Sequence, residues 1–210
     1  MIGFYNYTVI LTYLGLTSGI LGIINASKGR VTVAIFCLLL AGFFDMFDGL
    51  VARTKKDRTK QEKAFGIQLD SLSDLVCFGV LPAMIGHAVG LNKWYFEIIL
   101  VLYVLAALIR LAYFNVTEEE RQEQTTEVRK EYLGLPVTSA ALIIPLIYIF
   151  VLFLKDKFYL VYGATLLIVA IAFISKFKIK KLKIKGMLAV LVIGIIELAI
   201  LLLIWEKKSK

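Results

Sequence analysis

Long apolar stretches separated by short polar segments run along the chain from its first residues to its last. Each stretch is close to the roughly 20 residues that an α-helix needs to cross the hydrocarbon core of a bilayer. A membrane β-barrel would show segments of about ten residues with alternating apolar and polar side chains, and the sequence has no such segments. The pattern therefore predicts seven helices, at Tyr7–Asn25, Thr32–Ala52, Phe65–Gly86, Trp94–Asn115, Pro136–Leu154, Phe158–Ser175 and Met187–Trp205.

The composition agrees with this pattern, since 60% of the 210 residues are hydrophobic and the mean hydropathy is +0.82. A soluble domain is only about half apolar, so a soluble fold is excluded. We expect an all-α integral membrane protein, a polytopic bundle of six to seven transmembrane helices. The start of the chain has neither a basic region nor a small-residue cleavage site, so no removable signal peptide is expected. Cys37 and Cys77 both lie in apolar stretches and are expected to be free packing residues.

The distribution of positive charge predicts the orientation. Sixteen of the 24 Lys and Arg residues lie in or beside the loops after predicted helices 2, 4 and 6. The positive-inside rule places these loops and the N-terminus in the cytoplasm, and the C-terminus outside if the last helix spans. The basic stretch 176–185 is interpreted as a contact with anionic headgroups or a topology anchor, and not as a nucleic-acid site. The charged connection 118–131 is expected to form a short helix at the membrane surface.

Four aspartates lie at the cytoplasmic ends of predicted helices 2 and 3. Asp45 and Asp48 are three residues apart, and Asp70 and Asp74 are four apart, so each pair shares one helix face. Four carboxylates this close would repel one another at low dielectric unless cations lay between them. Ligands that are all oxygen suit hard divalent ions such as Mg²⁺, Mn²⁺ or Ca²⁺. We call Asp45, Asp48, Asp70 and Asp74 the acidic cluster and expect it to bind divalent metal.

Neighbouring residues suggest that the ligand carries phosphate. Gly49 and Gly66 leave room for a phosphate to approach the backbone, and Arg53 offers a bidentate fork. Paired metals with an arginine and a spare carboxylate are equipped for phosphoryl-type transfer. Two alternatives remain open at this point: an ion pathway in a transporter or channel, and a structural cluster paired with Lys and Arg. An ion pathway predicts polar groups across the bilayer, whereas these lie at one end.

The same residues resemble a family signature. The pattern D-x-x-D-G-x-x-A-R followed by G-x-x-x-D-x-x-x-D is similar to that of the CDP-alcohol phosphatidyltransferases, integral membrane enzymes of phospholipid synthesis. Its fixed positions are Asp45, Asp48, Gly49, Ala52, Arg53, Gly66, Asp70 and Asp74. The spacer of twelve residues, 54–65, is longer than is usual in the family. A longer solvated loop costs little free energy, so we expect changed loop contacts and unchanged chemistry.

Three further stretches are similar to the phosphatidylserine synthases of that family. They are DSLSDLVCFGVLPA at 70–83, RLAYFNV at 110–116 and GLP at 134–136, so the resemblance covers about 45–145. Leu75 stands where glycerophosphate-using relatives usually carry lysine. The resemblance implies transfer of a phosphatidyl group from CDP-diacylglycerol to L-serine with release of CMP. Glycerol 3-phosphate or an inositol compound as acceptor, and an archaeal-type lipid donor, are the alternatives.

The resemblance also implies roles for single residues. Asp45, Asp48 and Asp70 would bind two divalent ions, Mg or Mn, and Asp74 would be both a metal contact and the catalytic base. The CDP-binding residues would be Asp48, Gly49, Ala52, Arg53 and Gly66. For the acceptor, Arg110 is a candidate for the serine carboxylate, with a snorkelling anchor as its alternative, and Asn115 is a second candidate. The expected partners are CDP-diacylglycerol, L-serine, the lipid bilayer and a second copy in a homodimer, with no nucleic acid.

Other features complete the expectations. We expect a single transmembrane domain, 1–210, with a family-like core at about 5–175 and an additional C-terminal helix at about 187–205. Small residues of the first helix should form a face for close packing: Gly15, Ser18, Gly19 and Gly22. Glu197, within the last helix, is interpreted as a packing or oligomer contact. His87 is interpreted as an interfacial residue without a catalytic role.

Overall fold

The fold is helical almost throughout. A computed structural model describes residues 2–124, 131–180 and 184–209. The helices are α1 Ile10–Ser27, α2 Val31–Thr54, α3 Lys60–Asp74, α4 Leu81–Ala88, α5 Trp94–Gln124, α6 Ala140–Tyr148, α7 Val151–Leu154, α8 Phe158–Ile174 and α9 Ile184–Ser209. A π-helical turn, Leu75–Val80, joins α3 to α4, and short 3₁₀ turns lie at Tyr7–Val9, Val137–Ser139 and Lys155–Lys157. The strands β1 Glu131–Leu133 and β2 Lys178–Lys180 form a two-stranded antiparallel ribbon.

Six helical segments of the described chain are long and apolar enough to cross a membrane, which confirms the all-α polytopic class. They are Tyr7–Ser27, Val31–Thr54, Lys60–Ala88, Trp94–Arg121, Val151–Ile174 and Gly186–Glu206. The predicted fifth helix is not continuous. It is divided into α6 and α7 by Ile149 and Phe150, and α6 contains Pro145. Because proline lacks an amide hydrogen and crowds the preceding turn, it weakens a helix at this point.

One prediction about the polar connections was wrong. Residues 118–124 do not form a separate surface helix but continue α5, and the Glu118–Arg121 ion pair one turn apart supports this extension. Within the basic stretch 176–185, Lys178–Lys180 forms a strand that pairs with Glu131–Leu133, which the sequence did not predict. The rest of these two connections, 125–130 and 181–183, lies outside the described residues.

Contacts between distant segments define the two ends of the bundle. Tyr7 and Thr54 share a hydrogen bond of 3.1 Å, so the N-terminal segment lies at the α2–α3 turn. The ribbon brings the connection after α5 to the connection after α8. At the opposite end, Trp205 of α9 lies 5.7 Å from the ring of Phe36, near the start of α2. The N-terminus and the C-terminal end of α9 therefore lie at opposite ends, as the predicted topology requires.

Close helix packing surrounds the first helix. The small-residue face of α1 is buried, as predicted. A Cβ added at Gly19 would lie 2.6 Å from Sγ of Cys77, and one at Gly22 would lie 2.7 Å from Leu81. Helices can approach this closely only where side chains are small. This contact fixes α1 directly against the π-helical turn that follows Asp74.

Candidate functional site

The acidic cluster forms where the last turns of α2 meet the end of α3. Asp45, Asp70 and Asp74 each offer one carboxylate oxygen, and these oxygens all lie within 4.8 Å of one another. Asp48 contacts Asp70 and accepts a hydrogen bond of 3.1 Å from the hydroxyl of Thr12 on α1. Residues three and four apart on a helix share a face, which is why both pairs point into the same space. The helices thus bring together all four acids that the sequence singled out.

The acidic cluster is not paired with basic side chains in the part of the chain that the structure describes. Among the described residues, no Lys or Arg forms a salt bridge with any of the four aspartates, and the ion pairs of Lys55, Arg121 and Lys178 are with glutamates elsewhere. The structural alternative, acids paired with nearby basic side chains, therefore finds no support here. Carboxylates packed together at low dielectric repel strongly, and a bound cation would remove that repulsion.

The donor set fits a hard divalent ion. Metal–oxygen distances for Mg²⁺ and Ca²⁺ are about 2.0–2.6 Å, so two oxygens on opposite sides of an ion are about 4–5 Å apart. The oxygens of Asp45, Asp70 and Asp74 lie within 4.8 Å of one another, which is close enough for all three to bind one ion. Asp48 lies beside them and would serve a second ion. We infer from this donor set that the residues present fit one or two divalent cations.

Small and polar residues line the space beneath the cluster. Ser73 and Asp74 are both buried, and the Ser73 hydroxyl lies 3.5 Å from the carbonyl of Thr12. The lining residues of the small pocket here are Leu11, Thr12, Gly15, Ala41, Asp45, Asp48, Ser73, Asp74, Cys77 and Phe78. Thr12 was not predicted from the sequence. A polar residue within an apolar helix next to small residues was the available signal.

The π-helical turn after Asp74 was also not predicted. Tyr103 of α5 donates a hydrogen bond of 2.8 Å to the carbonyl of Phe78, within this turn. Tyr162 of α8 donates one of 2.9 Å to the carbonyl of Pro82. Pro82 has no amide hydrogen to donate to the carbonyl of Phe78, four residues earlier, and the hydroxyl of Tyr103 donates to that carbonyl. A π turn often occurs at a functional site, and here it directly follows the predicted base.

The predicted CDP-binding residues border open space. A Cβ added at Gly49 would meet no atom within 4 Å, and one at Gly66 would meet only Nη1 of Arg58, at 3.8 Å. Arg53, in the last turn of α2, is exposed, and Ala52 beside it is half-buried. Glycines in packed helices usually contact a neighbour, as Gly19 does. The open faces of Gly49 and Gly66 leave room for a ligand above the acidic cluster.

The α2–α3 loop is held by a network that we call the Glu62 junction: Asn6, Lys55, Thr59 and Glu62. One carboxylate oxygen of Glu62 accepts hydrogen bonds from Lys55 at 2.8 Å and from Asn6 at 3.2 Å. The other accepts from the backbone amide of Thr59, which caps α3 in a reciprocal capping box. The bond to Glu62 raises the pKa of Lys55. The T-x-x-E spacing of Thr59 and Glu62 was the sequence signal for this helix start.

The two residues predicted to bind the acceptor substrate, Arg110 and Asn115, both form contacts with other residues of the protein. Arg110 is buried; its Nε donates a hydrogen bond of 3.3 Å to the carbonyl of Leu135, and its guanidinium lies 5.6 Å from the Phe114 ring. Its alternative role as a snorkelling anchor was wrong, because such an anchor reaches the membrane surface. Asn115 accepts a hydrogen bond of 2.8 Å from Ser71, the neighbour of Asp70. Asn115 therefore connects α5 to the helix that carries half of the cluster.

Three other predictions concern Glu197, His87 and the two cysteines. Glu197 is 2% exposed, and neither carboxylate oxygen has a hydrogen-bond partner in the described part of the chain. It is a packing residue within the bundle, as its burial excludes a contact with a second copy. His87 is exposed at the end of α4, and both Cys37 and Cys77 are free.

Comparison with known proteins adds a family and several relatives. A model of the CDP-alcohol phosphatidyltransferase family matches residues 5–206. A Saccharomyces cerevisiae protein named CDP-diacylglycerol–serine O-phosphatidyltransferase is 36% identical over 148 residues, which are 70% of this chain and 50% of that protein. A Methanothermobacter thermautotrophicus protein named archaetidylserine synthase is 32% identical over 179 residues, 85% of this chain and 70% of that protein. A Helicobacter pylori protein with the same name as the yeast one is 29% identical over 163 residues, 77% of this chain and 63% of that protein. The chain thus spans about half the length of the yeast relative.

Proposed function

Because the chain belongs to the CDP-alcohol phosphatidyltransferase family, we propose that it transfers the phosphatidyl group of CDP-diacylglycerol to the hydroxyl of L-serine. The products are phosphatidylserine and CMP. The observation that carries this proposal is the acidic cluster, with the oxygens of Asp45, Asp70 and Asp74 within 4.8 Å beside the open faces of Gly49 and Gly66. The choice of serine rests on the names of the yeast, archaeal and bacterial relatives.

In the proposed reaction, the serine oxygen forms a bond to the phosphorus that carries the diacylglycerol. The bond from that phosphorus to the oxygen bridging to CMP breaks, and CMP leaves with the bond's electron pair. Asp74 takes the proton of the serine hydroxyl, which requires hydrogen-bond reach to that hydroxyl. Asp45, Asp48, Asp70 and Asp74 would hold two divalent ions, Mg or Mn. When bound, such ions neutralise pyrophosphate charge and stabilise the leaving group.

The remaining residues bind and orient the substrates. Arg53 has the planar fork that suits phosphate oxygens, and Gly49, Ala52 and Gly66 leave room for the nucleotide. Arg110 would bind the serine carboxylate, and Asn115 would orient the acceptor through its bond with Ser71. The acyl chains would leave sideways between helices into the bilayer. The site would face the cytoplasm, as the distribution of Lys and Arg predicts. We also propose that the chain forms one transmembrane domain and assembles as a homodimer.

A second candidate differs only in the lipid. The archaetidylserine synthase matches a larger share of this chain, 85%, than the yeast relative does, 70%. The second candidate is therefore an archaeal-type lipid donor with the same acceptor. The chemistry at phosphorus and the residues named above would be unchanged, because the lipid tails lie away from the reacting atoms.

An acceptor screen tests the proposed function. Purified protein in detergent, with Mg²⁺ or Mn²⁺, would receive CDP-diacylglycerol or its archaeal-type counterpart together with serine, alanine, glycerol 3-phosphate or inositol phosphate. Release of CMP and formation of the lipid product are measured for each pair. We expect turnover with serine and none with alanine, which lacks the hydroxyl. Turnover with glycerol 3-phosphate and not with serine would refute serine as the acceptor. If neither donor releases CMP with any acceptor, the proposed enzymatic activity is refuted.

A further inference from the structure

Arg58 lies in the α2–α3 loop and is not part of the eight-residue signature. It occupies the longer spacer between Arg53 and Gly66. Its guanidinium rests over Gly66, with Nη1 at 3.8 Å from the position that a Cβ of Gly66 would take. Its Nε is buried and has no hydrogen-bond acceptor among the described residues. Buried donors of this kind nearly always have a partner, so the arrangement calls for an acceptor that the chain does not supply.

The position of Arg58 along α3 relates it to the acidic cluster. Gly66, Asp70 and Asp74 recur every fourth residue and therefore lie along one face of α3. Gly66 is one turn from Asp70, which corresponds to about 6 Å along the helix axis. A diphosphate that contacts the cluster at Asp70 and extends along this face would reach the open surface of Gly66. Arg58 lies at that point.

The Glu62 junction fixes the loop that presents Arg58. Lys55, three residues before it, and Thr59, directly after it, are both bound to Glu62. Asn6 ties the same carboxylate to the N-terminal segment. Both ends of the five-residue loop are therefore held. An arginine on a fixed backbone loses less freedom when it binds a ligand than one on a loose loop.

We propose that Arg58 is a second arginine for the phosphates of the nucleotide donor, in addition to Arg53. The unsatisfied Nε and the Nη1 above Gly66 would donate to phosphate oxygens, and Gly66 leaves the space for this contact. This assignment rests on the proposed function, because it takes the donor to be a CDP-linked lipid. It adds a binding residue from the spacer, which the signature does not include.

The test compares Arg58→Gln with Lys56→Gln. Lys56 is exposed in the same loop, so its replacement removes the same charge without touching Gly66. Binding of CDP in the presence of Mg²⁺ is measured by calorimetry on detergent-purified protein free of anionic lipid. We expect Arg58→Gln to weaken CDP binding by about tenfold or more, and Lys56→Gln by less than about twofold, because a charge-assisted, bidentate contact is lost only in the first. An equal loss in both variants would refute the contact, since it would reflect the net charge of the loop.

Kinetics separate binding from a structural role. In Arg58→Gln, KM for the donor lipid should rise while KM for the acceptor stays within about twofold, a split that general damage to the fold would not produce. In Arg58→Lys, KM for the donor lipid should lie between the values for the parent protein and Arg58→Gln, because lysine keeps the charge and loses the fork. This variant replaces Arg58→Gln in the test if the glutamine variant does not fold. If the effect appears only in vesicles with anionic lipid, Arg58 binds headgroups and the proposal is wrong. CDP binding does not involve the acceptor, so the result of this test can be interpreted even if serine is not the acceptor.

Discussion

Replacing Asp45 by asparagine should inactivate the protein while making its metal-free form more stable. The ligand oxygens of the cluster lie within 4.8 Å of one another. Two full charges at that distance repel by about 3 kcal/mol at an effective dielectric constant of about 20. Asparagine keeps the shape and removes one of these charges. In a chain of this size, each kcal/mol gained raises the unfolding temperature by about 2–4 °C.

The same substitution should weaken metal binding. Asparagine is a neutral ligand, and a tenfold weaker affinity reduces metal-dependent stabilisation by about 1.4 kcal/mol at saturating metal. The assay is thermal unfolding in detergent with a chelator and then with Mg²⁺ or Mn²⁺, together with CMP release. We expect a higher unfolding temperature without metal, a smaller rise on adding it, and loss of turnover. Asp70→Asn should behave in the same way.

Asp57→Asn is the matched control, because Asp57 is an exposed acid in the neighbouring loop. It should change neither the metal-free stability nor the response to metal. The reasoning is refuted if Asp45→Asn is less stable than the parent protein with chelator and keeps the full response to metal. Such a result would mean that the cluster carries little repulsion and does not bind the ion.

Three further predictions concern the donor, the base and the π-helical turn. Arg53→Lys should raise KM for the donor lipid and leave KM for serine nearly unchanged, since a point charge loses the fork; an unchanged donor KM would contradict a phosphate contact. Asp74→Asn should lower kcat by about 10²- to 10⁴-fold while CDP binding, measured by calorimetry, survives on the other acids; equal loss of both would argue against a base. Tyr103→Phe should destabilise the protein by about 1–3 kcal/mol in thermal unfolding, because the carbonyl of Phe78 loses its buried donor; unchanged stability would show that another group replaces the hydroxyl.

The sequence was sufficient for the features that depend on spacing. The apolar stretches predicted the helices, and the intervals between the aspartates predicted which of them share a face. The first follows from the length that a helix needs to cross a bilayer and the second from the 3.6-residue period of the helix, and both are local properties. The small-residue face of α1 was predicted for the same reason, although its partner, the turn after Asp74, was not.

Features that depend on contacts between distant segments could not be read in this way. The bond from Thr12 to Asp48 joins residues 36 apart, and the bond from Tyr103 to the Phe78 carbonyl joins α5 to a turn whose π geometry has no known periodic signal. The break in the predicted fifth helix did have a signal, since Pro145 lies within it, but transmembrane helices often tolerate proline. The burial of Arg110 also depends on a distant contact, because the carbonyl of Leu135, 25 residues later, lies beside it only in the folded chain.

The Glu62 junction joins segments that are made at different times during synthesis. Asn6 leaves the ribosome 56 residues before Glu62, and the two meet only after α1 and α2 have both crossed the membrane. The N-terminal segment must therefore stay on the side where the α2–α3 loop later emerges. If the first helix inserted the other way round, the bilayer would separate Asn6 from Glu62, and Lys55 would be the remaining side chain bonded to that carboxylate. The orientation in which α1 inserts thus determines whether Glu62 is bonded to Asn6 of the N-terminal segment as well as to Lys55 of the loop.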